Sequence, residues 1–465
     1  MKHLIQNLGL TFFGSLLCSM AYAQDLYTIL ELALENDPTL KQAEAQYRAN
    51  RENLSQSRSA LLPSFGAGGS TSRVTSGPAD DVFRTFPDPL TGAPTSVLVQ
   101  PRHSYGNGLN NHGWGVNLSQ SVLNLASWYT FQSAKASDRA AAVNLAAQEQ
   151  DLIMRVAMAY FDVLRAQELL ATNLQEEEAA LRSLEQTRQR EEVGLVAITD
   201  VFDSQAAYDL ARNTTILQRD LLRARFEALE AITGQPHGDI DELRADFPIL
   251  EVDGSLIDWE DQAEDNSLAI AAARYNLEAS RKNLRARKAD RLPTVDFLGQ
   301  YGHNVTAPII SQGIQIGGGA FDRTSLALSI NIPIYTGGAV SSRRRQAEQN
   351  LVAAQESLEL TRRQLTQNIR NAYRRVNTDV LVIAQRQQSI DSAQLALDAT
   401  ELGAEVGTRN IVEVLRAREN LFRALRQYAD ARFNYVLDTL LLKQVAGILT
   451  PDDIIALNEW LQSEG

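Results

Sequence analysis

From Ala126 to Val193 the chain runs without a single proline or glycine. With neither helix breaker present the run reads as one continuous helix, about 100 Å long at 1.5 Å rise per residue. A compact domain has no use for a rod of that length. Positions 156, 160, 163, 167, 170, 174, 177, 181 and 184 step by four and three and hold Val, Tyr, Val, Gln, Leu, Leu, Glu, Leu and Leu. That is a coiled-coil seam with two polar interruptions. Val376, Val380, Ile383, Gln387, Ile390, Gln394 and Leu397 repeat it, after a heptad run of Leu351, Leu358, Leu365 and Ala372. Both long helices therefore need partners along their length. Alanine faces such as Ala134, Ala136, Ala140 and Ala141 suit close lateral packing of helices into a wall.

The rod is written twice. Val193-Gly194-Leu195 with Ile198-Thr199-Asp200-Val201 returns at an offset of 213 as Val406-Gly407-Thr408 with Ile411-Val412-Glu413-Val414, and Leu62-Pro63 returns at an offset of 230 as Leu292-Pro293. Each half reads as helix, strand, loop, strand, long helix, sharp break, second helix. Gly194 and Gly407 are the breaks that turn each long helix back into a hairpin. The expected layout is a first repeat over 24–234, with strands near 64–74 and 113–123 and helices over 126–193 and 198–232. A linker follows over 235–265. The second repeat covers 266–446, with strands near 294–304 and 322–334 and helices over 340–405 and 411–445, and a tail occupies 447–465.

Residues 1–23 read as an export signal: Lys2, an apolar stretch from Leu8 to Met20, then Ala21-Tyr22-Ala23 as a small-x-small cleavage site. Cleavage would remove the single cysteine, Cys18, so no disulfide is expected, and Ser15-Leu16-Leu17 does not suit a lipid anchor. Loss of Lys2 takes the formal charge from −13 to −14, which argues against nucleic acid as a partner. Beyond residue 23 no apolar run approaches the roughly 20 residues of a membrane-spanning helix. Any crossing must be a β-barrel.

The strand segments fit that requirement. Leu326, Leu328, Ile330 and Ile332 alternate with Ala327, Ser329 and Asn331, and Trp114, Val116, Leu118 and Val122 with Gly115, Asn117, Ser119 and Ser121; Gln120 is the misfit. The opening strands, from Phe65 to Arg73 and around Val295, Phe297 and Tyr301, are softer versions of the pattern. Each is about the 9 to 11 residues that a tilted membrane strand requires. Aromatic residues such as Trp128, Tyr129 and Tyr335 lie where interfacial anchors belong. The segments from Thr75 to Gly113 and from Val305 to Gly319, rich in Pro, Gly, Asp and Asn, read as exposed loops. Four strands cannot close a membrane barrel, for which eight is the minimum, so copies must pool them. Two copies give eight strands and three give twelve. Sequence pattern alone leaves that choice open.

No enzyme signature is present and no cofactor is expected. The histidines, His3, His103, His112, His237 and His303, lack metal-ligand spacing; only His103 and His112 share a loop. Gly317-Gly318-Gly319 has no Lys-Ser/Thr after it and is no phosphate loop. Arg343-Arg344-Arg345 reads as a solvated helix start near the membrane surface.

With these features together, the sequence resembles the TolC family of outer-membrane channels over nearly the whole mature chain. The most specific stretches are Val193 to Val201, Val406 to Leu415 and Leu326 to Gly338. The resemblance implies a mainly α protein with membrane β: a homotrimer whose twelve pooled strands form an outer-membrane β-barrel continuous with a coiled-coil helical barrel in the periplasm. Segments around 235–266 and after Gly447 would form a mixed equatorial belt. It implies a passive exit duct in contact with outer-membrane lipid, working with a periplasmic adaptor protein and a proton-driven or ATP-driven inner-membrane transporter. Val193, Gly194, Leu195, Val406, Gly407 and Thr408 match the tips on which adaptors dock, and Arg409, Thr199 and Asp200 match the latch that closes the periplasmic entrance. Two departures stand out. Ala404 replaces the latch tyrosine, and of two acidic constriction residues Glu413 is kept while the other is Arg416, for which Asp203, its counterpart in the first half, offers a charge swap. The rival reading is a non-porous periplasmic coiled-coil structural or adaptor protein.

Overall fold

The structure is a computed structural model that describes residues 25–74, 82–100, 109–311 and 314–462. The expected export signal and His103 lie outside these residues. In chain order the elements are α1 (Leu26–Asn36), α2 (Pro38–Ser59), β1 (Ser64–Val74), β2 (Val82–Pro87), β3 (Pro94–Gln100), β4 (Leu109–Leu123), α3 (Leu125–Glu192) and α4 (Ile198–Thr233). They continue with β5 (Glu242–Leu243), α5 (Leu256–Asn266), α6 (Leu268–Ala289), β6 (Thr294–Thr306), β7 (Ile309–Ser311), β8 (Ile314–Ile316) and β9 (Gly319–Asn331). The last are α7 (Ala339–Glu405), α8 (Ile411–Val445), α9 (Pro451–Asn458) and β10 (Leu461–Gln462). Two compact units result: a sheet unit of residues 48–141 and 273–358, and a helical unit made of the rest.

In the sheet unit four antiparallel strands lie in the order β1-β4-β6-β9. Cross-strand partners share a face, so the register through Phe65↔Leu118, Val116↔Tyr301, Phe297↔Leu328 and Val295↔Ile330 assembles the apolar alternates on one side. Ser64, Asn117, Ser119, Gln300 and Ser325 gather on the other. Leu326, Leu328 and Ile330 are all exposed, and β1 and β9 leave the sheet with two open edges. The misfit Gln120 sits beside a bulge between Ser121 and Leu123, and its amide donates to the carbonyls of Leu61 at 3.0 Å and Ser121 at 2.7 Å. A polar side chain there ties the strand's end to the preceding turn.

Three expectations are corrected here. The loop over 75–113 contains the β2–β3 hairpin, and the loop over 305–319 the smaller β7–β8 hairpin. Val82, Phe83, Phe86 and Val97 are strand formers, and they flank a turn in which the Asp88 carboxylate accepts from the Leu90 and Thr91 amides at 2.8 and 3.0 Å. His112 belongs to β4 rather than to a loop, and its Nδ1 pairs with the Thr71 hydroxyl at 2.8 Å. The last strand runs from Gly319 to Asn331, not 322 to 334, because Pro333 has no N–H for the ladder.

The helical unit is built on the α3 seam. Leu152, Val156, Tyr160, Phe161 and Val163 bury against Leu26, Ile29 and Leu30 of α1, Leu229 of α4, Ile369 and Val376 of α7, and Phe433 and Val436 of α8. The Tyr160 hydroxyl donates to the Asp241 carbonyl at 2.7 Å, so this core tyrosine buries no unpaired polar atom. Midway the seam drifts: Leu174 is exposed, while Asn173 and Ala180 are buried. A straight helix rotates about 20° per heptad against a 3.5-residue repeat, and here Arg426 of α8 takes up the polar interior by bonding Asn173 and Glu176. Asp37 is buried, caps α2 through the Leu40 amide and pairs with Arg155 at 3.0 Å. Burial raises its carboxyl pKa, but the bonds from Arg155 and Leu40 outweigh that and hold it below the ordinary range. In the region between α4 and α6 and in the tail, β5 pairs with β10 as a short antiparallel ribbon. Among the described residues no helix is long and apolar enough to cross a membrane.

Candidate functional site

Two helical hairpins end in one shared motif. At the end of α3 the Gly194 amide donates to Glu191 at 2.8 Å and the Leu195 amide to Arg190 at 2.8 Å; at the end of α7 the Gly407 amide donates to Ala404 at 3.3 Å and the Thr408 amide to Gly403 at 2.8 Å. This is the same left-handed helix stop twice, and it requires the positive φ of Gly194 (75°) and Gly407 (78°). The stop leaves Val193, Leu195 and Val406 pointing away from any core, each about 70% exposed (69%, 69% and 75%). Solvation at a turn would favour polar residues, so three bare aliphatics at the tips suit a partner surface.

The helices that leave the tips start differently. Asn410 caps α8 by accepting the Glu413 amide at 2.9 Å, whereas α4 begins at Ala197 with no side-chain cap. Arg409 donates through Nη1 to Glu413 Oε2 at 2.7 Å, an exposed pair one turn apart. Thr199 is exposed and Asp200 half-buried, and neither side chain engages Arg409 within this chain. Asp203 and Arg416 are exposed, and among the described residues no ion pair or side-chain hydrogen bond involves them. Ala404 packs against the cluster of Leu397, Val414 and Leu421, where its small side chain is covered by its own hairpin.

Several residues at this end were not singled out by sequence reasoning. Gly403 is one: its carbonyl accepts from the Thr408 amide at 2.8 Å, the Arg409 amide at 3.1 Å and the Thr408 hydroxyl at 3.0 Å. A Cβ there would lie 2.7 Å from Arg409 Cγ, so the glycine seats the arginine's stem. Its signal was present as the only glycine inside either long helix, four residues before the tip glycine. Arg418 is another. It bridges Glu401 of α7 at 2.7 Å and the Ala179 carbonyl of α3 at 2.9 Å, tying the second hairpin to the first. Within the first hairpin Arg188 bonds Gln205 at 2.6 Å, and Ser204 reaches Thr187 at 3.3 Å. Between the hairpins lies an open groove of about 820 Å³, lined by Gln186, Arg190 and Val193 on one side and Leu397, Glu405 and Ile411 on the other.

Among the described residues no group of three or more His, Cys, Asp or Glu is set to hold a metal ion. What the site offers is mechanical: two rigid hairpins, a wet ion pair, bare aliphatic tips and a groove.

The sequence pattern of the outer membrane efflux protein family matches residues 29–235 and 259–447. The chain is 33% identical over 452 residues to outer membrane protein TolC of Vibrio cholerae serotype O1, covering 96% of each. It is 27% identical to the proteases secretion protein PrtF of Dickeya chrysanthemi, covering 98% of this chain and 95% of that one. Its fold superposes on the crystal structure of the outer membrane protein VceC from Vibrio cholerae with a TM-score of 0.72, at 18% identity, over 91% of this chain and 96% of that one.

Proposed function

The chain belongs to the outer membrane efflux protein family, and from that membership we propose that three copies pool their strands into one twelve-stranded barrel above a helical duct whose periplasmic mouth is latched by the hairpin ends. The protein is an outer-membrane channel of efflux or type I secretion systems, and not an enzyme. It assembles with transporter systems and acts as their passive exit.

The observation that carries the trimeric barrel is the sheet with two open edges, one apolar face and one polar face. Isolated, its rims would leave backbone groups unpaired in lipid; joined edge to edge in a ring, every rim finds a partner. The helices carry a matching signal. Leu381, Leu395 and Leu402 of α7 follow heptad spacing yet are exposed, as are Phe202, Leu210 and Leu217 of α4, and neighbouring copies would cover both stripes. The duplicated halves would then supply six similar hairpins around one axis.

At the mouth, Val193, Gly194 and Leu195 with Val406, Gly407 and Thr408 form the contact for a periplasmic adaptor, and the groove between the hairpins accepts the adaptor's own helical tip. Arg409 uses one of five donors on Glu413. The rest remain for Thr199 and Asp200 across the closed entrance. Such a latch is partly solvated and holds modestly, so an adaptor can trade it for its own contacts. Asp203 and Arg416 line the constriction as opposite charges. No observation favours a non-porous periplasmic rod, which has no use for an apolar sheet face with open edges.

The test is native mass spectrometry of the detergent-extracted protein joined to conductance in planar bilayers. A trimer that forms discrete channels is expected. A monomer or dimer, or a protein that leaves bilayers silent, would overturn the proposal.

A further inference from the structure

The charge of this chain is divided unevenly. The sheet unit holds 19 Lys and Arg against 11 Asp and Glu, while the helical unit holds 25 against 46. A chain of formal charge −13 thus carries a strongly basic unit next to its strands.

The excess is placed with regularity. On α6, Arg281, Arg285 and Lys288 step by four and three along one face and end at Leu292, just before β6. On α2, Arg51 and Arg58 lie seven apart on one face, with Ser55 between them, and lead to Leu62, just before β1. The offset of 230 carries Arg51 onto Arg281, Ser55 onto Arg285, Arg58 onto Lys288 and Leu62 onto Leu292. All five cations are exposed, and none has an ion pair or hydrogen bond among the described residues. Their neighbours differ: Arg287 and Arg343 turn to Asp290 at 3.6 and 3.8 Å, Arg344 to Glu348 at 3.6 Å, and Arg291 donates to Ser341 at 2.8 Å. These neighbours are spent on partners in the fold, whereas the cations of the two stripes are left unpaired among the described residues, as Lys135, Lys282, Arg323 and Arg345 also are.

Each stripe also has an apolar end. Leu62 and Leu292 are 50% and 43% exposed, and where β9 passes into α7, Ile334 and Tyr335 are almost bare at 94% and 86%. Arg285 stands four residues, about 6 Å of helix, before the end of α6 at Ala289, and Leu292 lies in the short turn beyond it. Apolar side chains at the strand ends followed within two turns of chain by free cations reproduce the order of a lipid interface, where hydrocarbon gives way to phosphate. A cell-wall polymer would meet the charge but has no use for the leucines.

We propose that these two stripes form a basic collar that binds the anionic phospholipid headgroups of the periplasmic leaflet, fixing the depth and tilt of the barrel in the membrane. The collar rests on the reading that the sheet spans the membrane. Each cation near an anionic surface is worth roughly a five-fold gain in binding, and three copies repeat the stripes around the barrel.

The experiment titrates short-chain phosphatidylglycerol, with phosphatidylcholine as control, onto the full-length detergent-extracted protein and counts bound lipid by native mass spectrometry. The variant carries Arg51→Gln, Arg58→Gln, Arg281→Gln, Arg285→Gln and Lys288→Gln together, and a second variant replaces the four arginines by lysine. The expected result is a preference of at least ten-fold for phosphatidylglycerol in the parent and the lysine variant, lost at about 0.5 M salt and lost in the glutamine variant, with single-channel conductance equal in all three. A glutamine variant that conducts yet keeps the preference overturns the collar alone. Soluble peptidoglycan fragments that bind in place of the lipid assign the stripes to the cell wall and overturn it also. A parent protein that forms no channel removes the membrane reading and the collar with it.

Discussion

Arg418 donates to Glu401 across the second hairpin at 2.7 Å, and the two equivalent positions of the first hairpin hold Gln205 and Arg188, 2.6 Å apart. At the offset of 213 the pair recurs with its ends exchanged. Only the second version reaches further, to the Ala179 carbonyl of the first hairpin.

Arg418→Ala leaves Glu401 and that carbonyl without their donor in a partly buried seam. A loss of about 1–2 kcal/mol is expected, read as a lower thermal midpoint of the detergent-extracted protein. Glu401→Arg joined to Arg418→Gln copies the first-half pair and should recover most of the loss. If the double variant is no better than the single, the two pairs are not equivalent.

Gly403→Ala would ordinarily favour a helix. Here the new Cβ meets Arg409 Cγ at 2.7 Å, so the arginine must leave its seat. The expected outcome is a higher closed-state conductance with a change in thermal midpoint of only a few degrees. Unchanged conductance would mean that the seat of Arg409 does not matter to the gate.

The architecture followed from patterns that do not depend on distant contacts: proline-free runs for α3 and α7, alternation for β4 and β9, and a tip glycine in each half. The site was less accessible. Arg409 was singled out by its match to the family's latch, but its pairing within the chain with Glu413 is set by the Asn410 cap and by Gly403, which act through hydrogen bonds no periodicity reveals. The α3 seam failed at Leu174 for a similar reason. Helical drift and the reach of Arg426 from another helix decide which residue faces inward there.

If Asp203 and Arg416 line the constriction as proposed, their opposite charges give it a neutral pair in place of a fully acidic ring. Multivalent cations should block the open channel weakly, and Arg416→Asp should strengthen block by tenfold or more, measured as the cation concentration that halves the current. Strong block of the unaltered channel would exclude a neutralised constriction.

Asp379 on α7 lies against Asp438 of α8, which also meets Arg375 at 3.7 Å. Burial, then the neighbouring Asp438 charge and their shared hydrogen bond, push its carboxyl pKa up to about 6. A raised carboxyl binds its proton more tightly in the folded state than unfolded, so stability falls as pH rises from about 4 to 6 and stays lower above that. Asp379→Asn should stabilise the protein at pH 7.5 by about 1 kcal/mol, discounted for partial solvation, and by nothing at pH 4. Thermal midpoints at the two pH values check this, and an equal gain at both would contradict it.

Whether the hairpin ends hold a gate, as proposed, is decided by single-channel recording of Arg409→Ser beside the unaltered protein in planar bilayers. A small resting conductance is expected for the unaltered channel and a several-fold larger one for the variant, at the same trimeric mass. Equal conductance from both proteins would contradict the gate.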